Sequence, residues 1–198
     1  MREATINRNT TETEIYLSLT IEGTGRYDIE TGCGFLNHML ELFTKHGNFN
    51  LALECKGDID VDYHHTVEDI GIVLGQALSN ALGDCRGIKR YASSILPMDE
   101  ALLMVAVDVS GRTGYFSDLN IPSYRVGDFD VELVDEFFTS FCRNAGLTLH
   151  IRQMCGTNAH HIIEAAFKGF ARALKEAVSI DSSAASEIPS TKGRLKEL

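Results

Sequence analysis

His64-His65-Thr66-Val67-Glu68-Asp69 occurs twice in this chain of 198 residues, its second copy being His160-His161-Ile162-Ile163-Glu164-Ala165. In both copies two adjacent histidines are followed three residues later by a glutamate, and then by a long run with apolar residues at helical spacing. His64 to His160 and Glu68 to Glu164 are each displaced by 96 residues, close to half the chain. A repeat of this size carrying metal-type side chains indicates a duplicated unit with two related metal sites.

The spacing has chemical content. If the motif opens a helix, His64 and Glu68 are four apart and share a face, while His65 points about 100° away. One motif then offers an imidazole and a carboxylate to one ion and a second imidazole to a neighbouring ion. A single copy would more simply be a capped helix start with two surface histidines. Two copies, using four of only seven histidines, favour metal binding.

Working outward, residues 14–22 alternate with period two and predict a half-buried strand, Gly23 to Gly25 a turn, and 26–30 its partner. A helix with an apolar stripe follows over 35–43 and carries His38. Residues 50–56 and 58–62 are strand-like around Gly57, and the first histidine pair opens a helix that stops near Gly83. The second half replays this order, with strands at 101–109, 114–119 and 147–154 and helices at 131–142 and 160–178. The overlay places Glu12 on Glu100 and Gly23 on Gly111 and, allowing a gap of two residues, His38 on Glu136.

Each half therefore reads β-β-α-β-(β)-α. The expected class is α+β, with two tandem halves (1–88 and 89–180), each a four-stranded mixed sheet with two helices packed on one face. A tail, 181–198, completes a single compact unit. The uncovered sheet faces would need each other or neighbouring subunits.

A hydrophobic content of 44% supports a substantial core, and a formal charge of −10 without a basic run argues against nucleic acid as partner. Cys33, Cys55, Cys85, Cys142 and Cys155 are scattered without a CxxC pair, as expected of reduced thiols in a cytoplasmic protein. The polar N-terminus has no apolar signal core, and no run is long enough to span a membrane.

The candidate ligands are His38, His64, His65, Glu68, His160, His161 and Glu164, with Glu136 as a possible eighth. They suffice for two ions with three to four protein ligands each. Imidazole and carboxylate without thiolate fit Mn²⁺, Fe²⁺ or Zn²⁺. A Ser-x-Lys-Gly segment in the tail, Ser190 to Gly193, has the hydroxyl, ammonium and backbone N–H groups to close over a phosphate.

The two His-His-x-x-Glu motifs, Gly34-Phe35-Leu36-Asn37-His38-Met39-Leu40, Leu149-His150-Ile151 and Pro189-Ser190-Thr191-Lys192-Gly193 together resemble the imidazoleglycerol-phosphate dehydratase family of histidine biosynthesis, over about residues 2–194. The resemblance implies a hydro-lyase that converts imidazole glycerol phosphate to imidazole acetol phosphate. It implies two Mn²⁺ per active site, built where subunits meet in a shell of twenty-four chains. The implied route passes through a metal-stabilised imidazolate and a diazafulvene-like intermediate. The metal ligands would be the eight residues above. Glu12 and Glu164 would transfer protons, and Arg90, Arg112, Lys168, Ser190 and Lys192 would bind the phosphate. Two positions depart from the family pattern: some members carry histidine where Glu136 stands, and Tyr63 replaces an acidic residue often found before the first histidine pair. The same residues also admit a metal-storage shell or a dinuclear metallohydrolase, which would release phosphate.

Overall fold

The computed structural model describes residues 1–195, so the last three residues of the expected tail lie outside the described residues. The first half folds as β1 (Glu3–Asn9), β2 (Thr13–Thr20), β3 (Tyr27–Glu30), α1 (Gly34–Gly47), β4 (Asn50–Gly57) and α2 (His64–Leu82). The second follows with β5 (Tyr91–Met98), β6 (Ala101–Asp108), β7 (Gly114–Ser117), a short pair β8 (Arg125–Val126) and β9 (Phe129–Asp130), α3 (Leu133–Ala145), β10 (Thr148–Cys155) and α4 (Ala159–Val178). Two four-stranded sheets result, ordered β1-β2-β4-β3 and β5-β6-β10-β7. In both, the short strand β3 or β7 runs parallel to its neighbour and the other pairings are antiparallel. The chain is α+β, with the same mixed sheet built twice.

The fourth strand of the first half is not where the sequence pattern put it, and in the second half the pattern assigns no fourth strand. Residues 58–62 form a turn; Ile59 and Val61 alternate with aspartates but are 44% and 67% exposed. The fourth strands are β1 and β5, at the sheet edges. Edge strands bury little, so their apolar alternation is faint: in β1 just Ala4 and Ile6 pack on the core. The pair β8–β9 is an insertion confined to the second half. It lengthens the repeat offset from 88 residues before it to 98 after it, as shown by the helix C-caps Asn48 and Gly146. The same offset relates His38 to Glu136.

Helices α1 and α2 pack on the first sheet and α3 and α4 on the second, and the halves join helix to helix, α2 on α3 and α1 on α4. The α2–α3 contact is made close by glycine. A Cβ at Gly71 would stand 2.8 Å from the Phe137 carbonyl oxygen, and one at Gly75 would stand 2.6 Å from that of Phe141. Gly71 lies against Phe137 and Ser140, Gly75 against Phe141 and Asn144, so the two helices run parallel. Across α1 and α4, Phe43 stacks on Phe170 at 5.6 Å, and Phe170 meets Phe138 and Phe141 edge-on. These aromatic rings fuse the two halves into one core.

The outer sheet faces remain uncovered. On the second sheet Ile95, Met104 and Phe116 are exposed, Ile95 by 62% and Phe116 by 55%. Among the described residues no helix is long and apolar enough to cross a membrane. Among the described residues the cysteines form no disulfide, and Cys33, Cys55, Cys85 and Cys142 are buried.

Gly75→Ala should lower stability by about 1–2 kcal/mol, because the overpacking cost exceeds the gain in helix propensity. Gly34→Ala, where a Cβ meets nothing within 4 Å, should not. Paired urea denaturation of the two variants checks this; equal midpoints would refute the close-packing account.

Candidate metal centre and phosphate cleft

The metal-type side chains gather in two groups of three, and each group draws on both halves. His38 of α1 joins His160 and Glu164 of α4, and His64 and Glu68 of α2 join Glu136 of α3; within each group the ligand atoms all lie within 4.8 Å of one another. Glu164 Oε2 is 3.1 Å from His160 Nε2 and 3.4 Å from His38 Nε2, and Lys168, one turn along, donates to Oε1 of the same carboxylate. In the other group His64 Nε2 and Glu68 Oε2 are 4.0 Å apart, and Glu136 accepts from the Ser140 hydroxyl at 3.3 Å. Glu136 is thus placed as His38 is placed, opposite a His-x-x-x-Glu face of the other half.

Burial acts to raise the Glu164 carboxyl, but the Lys168, His160 and His38 contacts outweigh it and hold it below its ordinary value. An ionised, buried carboxylate among imidazoles suits a divalent cation.

His65 and His161 are turned away from both groups. His65 Nδ1 lies 2.9 Å from Asp58 and its Nε2 lies 3.6 Å from Glu12; His161 Nδ1 lies 2.7 Å from Glu100 and its Nε2 lies 3.7 Å from Asp99. The carboxylate on Nδ1 fixes the ring and leaves Nε2 as the outward nitrogen. The helix starts that carry these rings are built alike. The Asp62 side chain accepts from His64 N–H at 2.7 Å, and the Asn158 side chain accepts from His160 N–H at 2.9 Å, satisfying backbone donors that helices leave open. The Glu100 carboxylate, which accepts from His161 and from the Asn158 and Thr157 N–H groups, is lowered to about 2.

The β8–β9 insertion reaches both groups. Tyr63, just before the first histidine pair, donates to Asp128 at 2.8 Å, and that hydrogen bond is the main reason its hydroxyl is raised to about 12. Phe129 packs on Phe35 at 5.0 Å, and Phe35 meets the His160 ring edge-on at 5.3 Å.

The basic residues divide. Arg90, Arg112, Ser190 and Lys192 line one cleft of about 710 Å³, joined there by Arg143 and Arg194. The tail reaches it because Gly87 N–H bonds the Glu187 carbonyl at 2.7 Å and Arg90 bonds the Pro189 carbonyl at 2.9 Å. Asp108 holds Arg90 at 2.8 Å and Arg112 at 3.5 Å. Lys168 is not among the lining residues; it sits on Glu164. None of the metal-type residues lines the cleft.

A family model for imidazoleglycerol-phosphate dehydratase matches residues 31–174. The chain belongs to the imidazoleglycerol-phosphate dehydratase family. It is thereby an enzyme of the hydro-lyase class. Imidazoleglycerol-phosphate dehydratase from Azorhizobium caulinodans is 56% identical over 195 residues, covering 98% of this chain and 99% of that protein. The Geobacter sulfurreducens protein of the same name is 55% identical over 194 residues, again covering 98% of this chain and 99% of the relative. The crystal structure of the Staphylococcus aureus imidazoleglycerol-phosphate dehydratase is similar with a TM-score of 0.83 at 42% identity, covering 90% of this chain and 99% of that one. That of the Pyrococcus furiosus enzyme, in complex with (S)-C348, gives 0.83 at 37%, covering 96% and 100%.

Sequence reasoning on this dehydratase-family chain named all six residues that the structure groups but overlooked Asp58 as the partner of His65, and Arg143 and Arg194 in the cleft. The Glu12–Glu100 overlay was the available signal for the glutamate on His161. Asp58 and the arginines carry no motif.

In the metal-free chain, His65 and His161 should titrate above ordinary histidine, because their first cause of shift is the hydrogen bond to Asp58 or Glu100. His46 should titrate below it, through burial and then the nearby Lys168 and Arg172. Histidine-resolved NMR titration checks the order; His46 titrating above the other two would refute the geometry.

Proposed function

We propose that this chain dehydrates imidazole glycerol phosphate to imidazole acetol phosphate in histidine biosynthesis, using two Mn²⁺ ions per active site. What carries the reading, within a chain of this family, is the pair of three-residue groups assembled from both halves. Their donors are imidazole and carboxylate without thiolate, which suits Mn²⁺. His38, His160 and Glu164 would hold one ion, and His64, Glu68 and Glu136 the other. His65 and His161, turned away from these groups, would complete the sites of neighbouring copies.

The active site in this reading belongs to an assembly. The substrate has an imidazole at one end and a phosphate at the other, whereas the metal groups and the basic cleft are separate features of one chain. A homo-oligomeric shell of twenty-four copies would bring the cleft of one chain to the metal groups of another. The outward apolar residues Ile95, Met104 and Phe116 support such contacts.

When bound, the ions would supply an electron sink for the substrate's imidazole ring. The side chains do the rest. Arg90, Arg112, Ser190 and Lys192 bind the phosphate and fix the substrate's position. Two proton movements are needed: the carbon-bound proton must be taken, and the departing hydroxyl must receive a proton to leave as water. Glu12, exposed on its turn, and Glu164 are the groups assigned to them. Lys168 holds the Glu164 carboxylate in place and brings positive charge toward the phosphate's path. This reading places the enzyme in the cytoplasm, the compartment of reduced thiols.

Metal-stripped protein given imidazole glycerol phosphate should form ketone on addition of Mn²⁺ and release no inorganic phosphate, with both products followed separately. Glu164→Gln should lower both kcat and bound metal, and Glu12→Gln kcat alone, by roughly 10²–10⁴ for a lost proton-transfer group. Bound metal without ketone would leave a storage protein, and phosphate release would make the chain a hydrolase.

A further inference from the structure

The two halves use equivalent glutamates differently. Glu100, on the β5–β6 turn, is fully occupied. Its carboxylate accepts from the Thr157 and Asn158 N–H groups at 3.1 and 2.7 Å and lies 2.7 Å from His161 Nδ1. Glu12, its counterpart on the β1–β2 turn, makes no such bonds. Among the described residues its carboxylate meets His65 Nε2 at 3.6 Å and no nearer partner.

The difference traces to the first residue after the last strand of each half. After β4 this is Asp58, whose N–H bonds the Glu12 carbonyl at 3.1 Å and whose carboxylate lies 2.9 Å from His65 Nδ1. After β10 it is Gly156, which has no side chain, and there Glu100 takes the ring nitrogen instead. Where Asp58 holds the histidine, the glutamate is released.

A second carboxylate also lacks a counterpart. Asp69 follows the ligand Glu68, whereas Ala165 follows Glu164. Asp69 is 5% exposed and accepts from Arg8 of β1 at 2.8 Å and from the Thr13 hydroxyl at 2.5 Å. The Thr10 hydroxyl oxygen accepts from the Glu12 and Thr13 N–H groups at 3.1 and 2.9 Å. The turn bearing Glu12 is therefore pinned from beneath to the helix that carries the metal ligands.

We infer that Asp58 and Asp69 are positioning residues for Glu12: Asp69 fixes its turn through Thr13, and Asp58 occupies the His65 nitrogen that would otherwise bind its carboxylate. The inference rests on the reading of Glu12 as a proton-transfer group. Steady-state kinetics on assembled, Mn²⁺-saturated enzyme test it, with bound metal measured alongside.

Thr13→Val should lower kcat roughly ten- to a hundredfold, as expected for a misplaced group, with KM and bound metal unchanged. Thr13→Ser should restore it. Asp58→Gly, which keeps the backbone N–H that bonds the Glu12 carbonyl, should lower kcat as Glu12 moves onto the ring, and Asp58→Asn, which still accepts from His65, should rescue. Adding Glu12→Gln to either impaired variant should cost far less than it does alone. Wild-type kcat in both Thr13→Val and Asp58→Gly, beside an impaired Glu12→Gln, overturns the inference, as do effects that multiply in full. Wild-type kcat in Glu12→Gln itself overturns the reading of Glu12 and the inference with it.

Discussion

Gly71 and Gly75 let α2 lie so close to α3 that a single methyl group at either position would press on backbone, and the two histidine–glutamate groups at the helix starts inherit that separation. The two helices run parallel, so His64 and Glu68, near the start of α2, come opposite Glu136 near the start of α3. Phe43 on Phe170 does the same for α1 and α4, bringing His38 to His160 and Glu164. Among the described residues, neither half alone contains such a group of three. The sheets are scaffolding for four helix starts, and the helix–helix contacts decide what those starts can bind.

Packing carboxylates together is costly unless something positive offsets them. Glu68, Glu136 and Glu164 all lie in the first two turns of their helices, where the exposed backbone N–H groups carry partial positive charge. Glu164, the most buried, also has Lys168 against it. The protein thus surrounds Glu164, the most buried of the three, with donors that hold its carboxyl below the ordinary value.

Much of this was legible in the sequence because the repeat itself is a structural statement. Side chains recurring at a fixed offset must occupy equivalent places, so the duplicated motif yielded the two halves, the helix starts and the pairing of His38 with Glu136. Features that depend on partners distant in sequence were not legible. β1 and β5 bury too little to show a period, and Asp58 to Asp62 imitates a strand while serving as a turn that reaches His65 and caps α2. Nothing in the tail's composition names the residues that hold it, Arg90 and Gly87. Lys168 was grouped with the phosphate residues on family resemblance; within the chain, its place on Glu164 follows from nothing more than its position one helical turn later.

The β8–β9 insertion is the one element present in a single half, and it touches the first motif through Tyr63 and the second through Phe35. The two sheet-and-helix units are therefore not interchangeable parts: a second copy of the first would bring no Asp128 to Tyr63 and no Phe129 to Phe35.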